Sequence, residues 1–162
     1  MLTERLAKFV TETRTADIPQ AVLAGARDAL IDTIAVGIAG SVEEVGDIVM
    51  RWTHELGARP QATVWGQHVA TSPADAAFAN GVFAHALDFD DSLPSLRGHP
   101  SATMIPAALA VAEVAGASGR DVLAAYALGL EVAGKLGRAM GHGHYLRGWH
   151  STATIGLFSS TA

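Results

Sequence analysis

Apolar residues recur at helical spacing in one segment after another, and most segments open at a capping residue and close at glycine or a polar break. Leu2, Leu6, Phe9 and Val10 share one face before the chain turns polar from Thr11 to Ala16. Asp17-Ile18-Pro19-Gln20 reads as a helix start with an Asp cap, an early Pro and a Gln three residues after the cap. The helix it opens carries Val22, Leu23, Ala26, Leu30, Ile34 and Ile38 and should stop at Gly40. Ser41-Val42-Glu43-Glu44 reads as a capping box for a stretch holding Val45, Ile48, Val49, Trp52 and Leu56, closed by Gly57. Ser72-Pro73-Ala74-Asp75 should cap a helix running to about Leu87. Pro100 to Ala115 reads as another helix, with Pro106 a candidate kink. Ser118-Gly119-Arg120-Asp121 should cap a long helix reaching about Met140. Ala107, Ala108, Ala110, Gly129, Gly134 and Gly137 would let these last two helices approach others closely. Only residues 58 to 71 break the rhythm with a short hairpin or extended loop, Ala62-Thr63-Val64-Trp65 and His68-Val69-Ala70 flanking Gly66-Gln67. The expected fold is therefore all-α, a multi-helix bundle with one small β excursion. Ser151 to Phe158 begins a further helix that meets the end of the chain at Ala162, so residues 1–162 read as an incomplete portion of a larger helical domain.

Composition narrows the function classes. Nearly half the residues are hydrophobic, 17% are charged and the net charge is −5. Lys8 and Lys135 are the only lysines and the basic residues are scattered, which argues against a nucleic-acid ligand. Without cysteine the chain can supply neither disulfides, thiolate nucleophiles, zinc-thiolate sites nor cysteine-held iron–sulfur clusters. Asp32 and Glu113 interrupt the most apolar runs, so no membrane span is expected. Nothing in Met1-Leu2-Thr3-Glu4-Arg5 resembles a signal peptide, and a cytoplasmic protein is the expectation.

Against this apolar background, His85-Ala86-Leu87-Asp88-Phe89-Asp90-Asp91-Ser92, followed by His99-Pro100-Ser101, concentrates ionisable groups between two helices. Charges are costly to bury unless paired or used, so acids clustered between apolar segments point to a site. A second histidine-rich stretch, Gly141-His142-Gly143-His144-Tyr145-Leu146-Arg147-Gly148-Trp149-His150, also precedes a helix start. Helix N-termini favour anions. Two such ends meeting histidines, Arg97, Arg147 and Ser92 would suit a small polycarboxylate, with Asp88, His99 and His150 exchanging protons. His142 and His144 read as part of a Gly-rich loop, His54 and His68 as surface residues, and Trp52 and Trp65 as packing residues. Asp90 and Asp91 could simply cap or brace the loop.

These residues also carry a family resemblance. Ala79-Asn80-Gly81 through His85-Ala86-Leu87-Asp88-Phe89-Asp90-Asp91, then His99-Pro100-Ser101-Ala102, resembles the N-terminal signature of the MmgE/PrpD family, which includes 2-methylcitrate dehydratase and cis-aconitate decarboxylase. Leu30-Ile31-Asp32-Thr33-Ile34-Ala35-Val36 with Ala39-Gly40, Gly116-Ala117-Ser118-Gly119, and Tyr145-Leu146-Arg147-Gly148-Trp149-His150 resemble further family motifs in order. The resemblance implies a longer enzyme with a large helical domain and a smaller α/β lid, paired as a homodimer through the helical domain. It implies a lyase working without metal or cofactor, abstracting a proton next to a carboxylate before water or carbon dioxide leaves, or an epimerase using the same proton abstraction. Asp88, His99 and His150 would be catalytic, with Ser92, Asp91, Arg97 and Trp149 at the substrate. Ser92 takes the place of a family hydroxyl, Ser151 stands where Pro is common, and the family's lysines and lid would lie beyond residue 162. Two other readings stay open on the residues alone. One is a metal-dependent hydrolase built on His85, Asp88, Asp91, His99 and His150; the other is a non-catalytic helical dimerisation module.

Overall fold

The computed structural model describes residues 1–162 and contains seven α-helices and one β-hairpin. In chain order these are α1 (Leu2–Glu12), α2 (Gln20–Gly40), α3 (Glu44–Leu56), β1 (Ala62–Val64), β2 (Val69–Thr71), α4 (Pro73–His85), α5 (Ser101–Ala115), α6 (Gly119–Leu146) and α7 (Ser151–Thr161). A single 3-10 turn, Thr15–Asp17, links α1 to α2. The mostly helical reading and the small hairpin are both present. No helix is long and apolar enough to cross a membrane.

Helix α4 is the hub. It packs against α2, α3, α5 and β1, and Ala76, Ala79, Phe83 and Ala84 on it are fully buried. Phe83 joins Val49, Met50, Val64 and Ala110 in one apolar cluster, while Ala84 joins Trp65, Met104, Ile105 and Tyr126 in a second. Small residues set the approach of the helices. A Cβ at Gly40 would lie 2.1 Å from the Phe83 carbonyl oxygen, so α2 crosses α4 only because position 40 carries no side chain. The hairpin is tied to the hub by Asn80, which is 2% exposed. Its Nδ2 donates to the Thr63 carbonyl and its Oδ1 accepts from the Trp65 N–H, at 2.9 and 2.8 Å.

Local capping chemistry predicts some helix starts and misses others. Ser72 caps α4 and Ser118 caps α6, each accepting from the N–H three residues on. Asp17 does not cap α2; Arg14 donates to its carboxylate at 2.8 and 2.9 Å, and Pro19 holds the cap position. Ser41 does not cap α3 either. Its hydroxyl donates back to the Ile38 carbonyl at 2.8 Å, and its own carbonyl accepts from Gln67 of the hairpin at 2.9 Å. Helix α4 stops at His85, two residues short of the expected end. Pro106 is accommodated within a continuous α5. Gly141 interrupts α6 with φ 61° and ψ −168°, where the periodicity predicts the long helix to finish, and one last turn reaches Leu146.

Candidate active site

The segment from Ala86 to Pro100 leaves α4 and returns to start α5, and buried anchors shape it. Leu93 and Gly98 form an antiparallel bridge in which the Leu93 N–H donates to the Gly98 carbonyl at 3.0 Å. Leu96 at the tip is 2% exposed and packs with Ala133 of α6 and Ile155 of α7. Gly137 of α6 lets the tip close down, since a Cβ there would lie 2.3 Å from the Ser95 carbonyl oxygen. At the return limb, the His99 N–H donates to Thr152 Oγ1 in the first turn of α7 at 2.9 Å. Asp88 and Arg97 both adopt left-handed backbone conformations, with φ 54° and 57°. The first is tolerable for Asp, whose short polar side chain can bond locally; Arg has no such help.

Closing this loop brings four ionisable side chains together. The Asp90 carboxylate is fully buried, with its oxygens 2.9 and 3.0 Å from His85 Nδ1. One of the same oxygens lies 3.3 Å from His99 Nδ1. His99 Nε2, on the other edge of the ring, lies 3.8 Å from Asp88 Oδ1, and the Asp88 side chain is exposed. The two imidazoles sit 4.8 Å apart at 57°. His85 also forms part of the wall of a groove of about 630 Å³ shared with Val45, Phe78, Val82, Thr103 and Thr152. One ligand atom from each of His85, Asp88, Asp90 and His99 falls within 4.8 Å of the others, a nitrogen and oxygen set that a divalent ion could use.

Asp91 faces the opposite way. Its oxygens accept from the Ser101 N–H at 3.2 Å and from the Ser101 hydroxyl at 2.6 Å, so it caps α5 in place of a solvent anion. Tyr126 OH lies 2.7 Å from Ser101 Oγ. With Ser101 donating to Asp91, the phenol donates to Ser101. Burial, aided by the negative charge of Asp91, pushes the Tyr126 phenol up to about 12. Its folded value is raised, so its stabilising contribution is complete below the ordinary tyrosine range near 10 and is lost as pH rises through about 12. Thermal melts of the protein should therefore fall more steeply between pH 10 and 12 than those of Tyr126→Phe. Parallel curves for the two proteins would refute this.

The remaining sequence candidates are exposed and lie outside the contacts of this cluster. His150 is the N-cap residue of α7 and is exposed. It sits two residues before Thr152, which binds the loop backbone at His99. Helices α5 and α7 thus begin at the same place, and no side chain caps α7. Ser92 and Arg97 are exposed and make no side-chain hydrogen bond to the cluster. Trp149 stacks over His144 at 6.1 Å and 10°, beside a hollow also lined by Met140 and Arg147. His144 in turn lies 2.7 Å from Thr154 Oγ1. Asp90 is what reading along the chain underrates, and His85 enters there only as a metal ligand. The available signal was their spacing, with a histidine in the last turn of a helix and an acid five residues on, past the helix end.

Residues 4–162 match the family model described as the MmgE/PrpD N-terminal domain. Human cis-aconitate decarboxylase is 32% identical over 140 residues, which is 83% of this chain and 29% of that protein. A cis-aconitate decarboxylase-like protein, oryM, of Aspergillus oryzae is 32% identical over 169 residues, covering 99% of this chain and 35% of its own. Cis-aconitate decarboxylase of Aspergillus terreus is 27% identical over 161 residues, 96% of this chain and 33% of its own. The chain therefore spans about a third of the length of these relatives.

Proposed function

The chain belongs to the MmgE/PrpD family, a lyase-type enzyme family, and from that premise we propose that it carries part of the active site of a lyase acting on a small polycarboxylate. The supporting observation is the junction of the 86–100 loop with α7. His99 and Thr152 are joined by a hydrogen bond across 53 residues of sequence, which draws the His150 motif toward Asp88 and His99. Asp88, His99 and His150 are the groups proposed to move protons at the carbon next to a substrate carboxylate as water or carbon dioxide departs. The start of α7, with unpaired N–H groups and no side-chain cap, favours a substrate carboxylate. Ser92, Arg97 and Trp149, all exposed, are proposed to contact the rest of the substrate, and Asp91 is proposed to serve it through the α5 start that it caps.

The relatives' printed activity makes cis-aconitate the first substrate to try, with 2-methylcitrate and related tricarboxylates next. We further propose a cytoplasmic homodimer that needs no metal or cofactor. Association is supported by an exposed apolar face on α3 and α4, where Trp52 and Phe78 pack edge to face at 5.0 Å beside exposed Ile48.

The test is proton NMR of the whole protein with each tricarboxylate, followed for loss of the carboxyl group or of water. Conversion of one of them above the buffer rate is expected. Conversion of none would overturn the lyase reading. A metal-dependent hydrolase is the second reading, favoured by the four ligand atoms within 4.8 Å. Turnover that survives EDTA is the expected result; turnover abolished by EDTA and restored by a divalent ion would overturn the metal-free proposal, and metal-dependent hydrolysis with no loss of water or carbon dioxide would favour the second reading.

A further inference from the structure

We infer that Asp90 is a positioning residue that sets the tautomer of two imidazoles at once, and that it thereby brings His85 into the site as a second proton-handling group beside His99. The inference rests on the lyase reading for its chemistry but not for its geometry. Asp90 is the one carboxylate of the cluster whose side chain is fully buried, and no Lys or Arg forms an ion pair with it. Burying such a charge is costly unless donors surround it. The donors at hand are His85 Nδ1, at 2.9 and 3.0 Å, and His99 Nδ1, at 3.3 Å. His99 Nδ1 is shut away from solvent and has no well-aligned hydrogen-bond partner, so the Asp90 carboxylate is the polar group it meets.

The tautomers follow from the acceptor. An ionised carboxylate only accepts, so each Nδ1 facing it carries the hydrogen and each Nε2 keeps its lone pair. Both rings then turn a basic nitrogen away from Asp90. When either Nε2 takes a proton, the resulting imidazolium charge is offset across its own Nδ1–H by the same carboxylate. His85 has access to reactants, because its side chain is 40% exposed on the wall of the groove that also holds Thr152. Two bases sharing one carboxylate suit a reaction in which a proton is removed at one point and delivered at another.

The experiment is a long-range proton–nitrogen NMR correlation of the histidine rings in the protein at pH 8, with Asp90→Asn compared. The wild type should show His85 and His99 as Nδ1–H tautomers with unprotonated Nε2. In Asp90→Asn at least one ring should lose that preference, because both carboxylate positions face His85 Nδ1 and either orientation of the amide sets an NH2 donor against it. An Nε2–H tautomer at either histidine in the wild type would overturn the positioning role, and that result is readable even if Asp90→Asn does not fold. Turnover tests the second half. His85→Gln and Asp90→Asn should each lower kcat by about 10²-fold or more with little change in KM, whereas near-normal kcat in His85→Gln would remove it from the site. Absence of turnover in the wild type would count against the lyase reading while leaving the tautomers as the measure of Asp90.

Discussion

Loss of turnover by about 10²- to 10⁴-fold is the expected result of His99→Ala, the scale of one missing general acid or base. The fold should survive that change, because the loop is held through the His99 backbone N–H and not through its ring. His150→Ala should be similarly inactive and similarly folded, since His150 is exposed and its side chain makes no capping bond to α7. Asp88 needs a different substitution. Its φ of 54° would strain alanine, whereas asparagine tolerates the left-handed region, so Asp88→Asn isolates the lost carboxylate from a backbone effect. Steady-state rates on the whole protein, alongside far-ultraviolet circular dichroism, decide the matter. Normal turnover in all three variants would leave the helical dimerisation module as the better reading.

Leu96→Ala should produce the largest structural effect at the site without touching a polar group. The side chain is 2% exposed and sits between α6 and α7 against Ala133 and Ile155. Truncating such a leucine costs about 2–5 kcal/mol, through lost burial and the cavity left behind. For a domain of this size that corresponds to a fall in Tm of roughly 2–4 °C per kcal/mol. Because Leu96 seats the loop, the loss should show locally as well. Amide exchange at Leu93, whose N–H is bonded to Gly98, should quicken more than exchange in α4. Leu157, which is 68% exposed, provides the control, and its alanine variant should stay within about 0.5 kcal/mol of wild type. Equal melting of the two variants would mean that the loop is not anchored through Leu96.

Much of this arrangement is legible along the chain because it is local. Ser72 and Ser118 cap the helices they precede, since a serine hydroxyl and an N–H three residues on need no distant partner. Gly57 takes the left-handed conformation that ends α3, and Gly141 breaks α6 next to Met140. The same logic fails at Ser41 and Asp17, where other partners compete for the capping group. At Ser41 the carbonyl is held by Gln67 of the hairpin, an interaction that exists only once the hairpin has docked.

The candidate site divides along the same line. Which residue types gather at positions 85–101 and 141–150, and that both stretches precede helix starts, is written in the residues themselves. Their local order also carries the family motif. What neighbouring side chains do with each other is not. Asp90 and Asp91 are adjacent acids with equal claims on paper, yet one is buried against two imidazoles and the other caps α5 through Ser101 and Tyr126. That choice depends on a loop closed by Leu96, Gly137 and Thr152, the last two 41 and 56 residues beyond the first. Helical period and cap chemistry are settled by free energies within a few residues of each other. The direction in which a carboxylate is buried is settled by long-range packing, because only the assembled neighbours supply the donors that offset its desolvation.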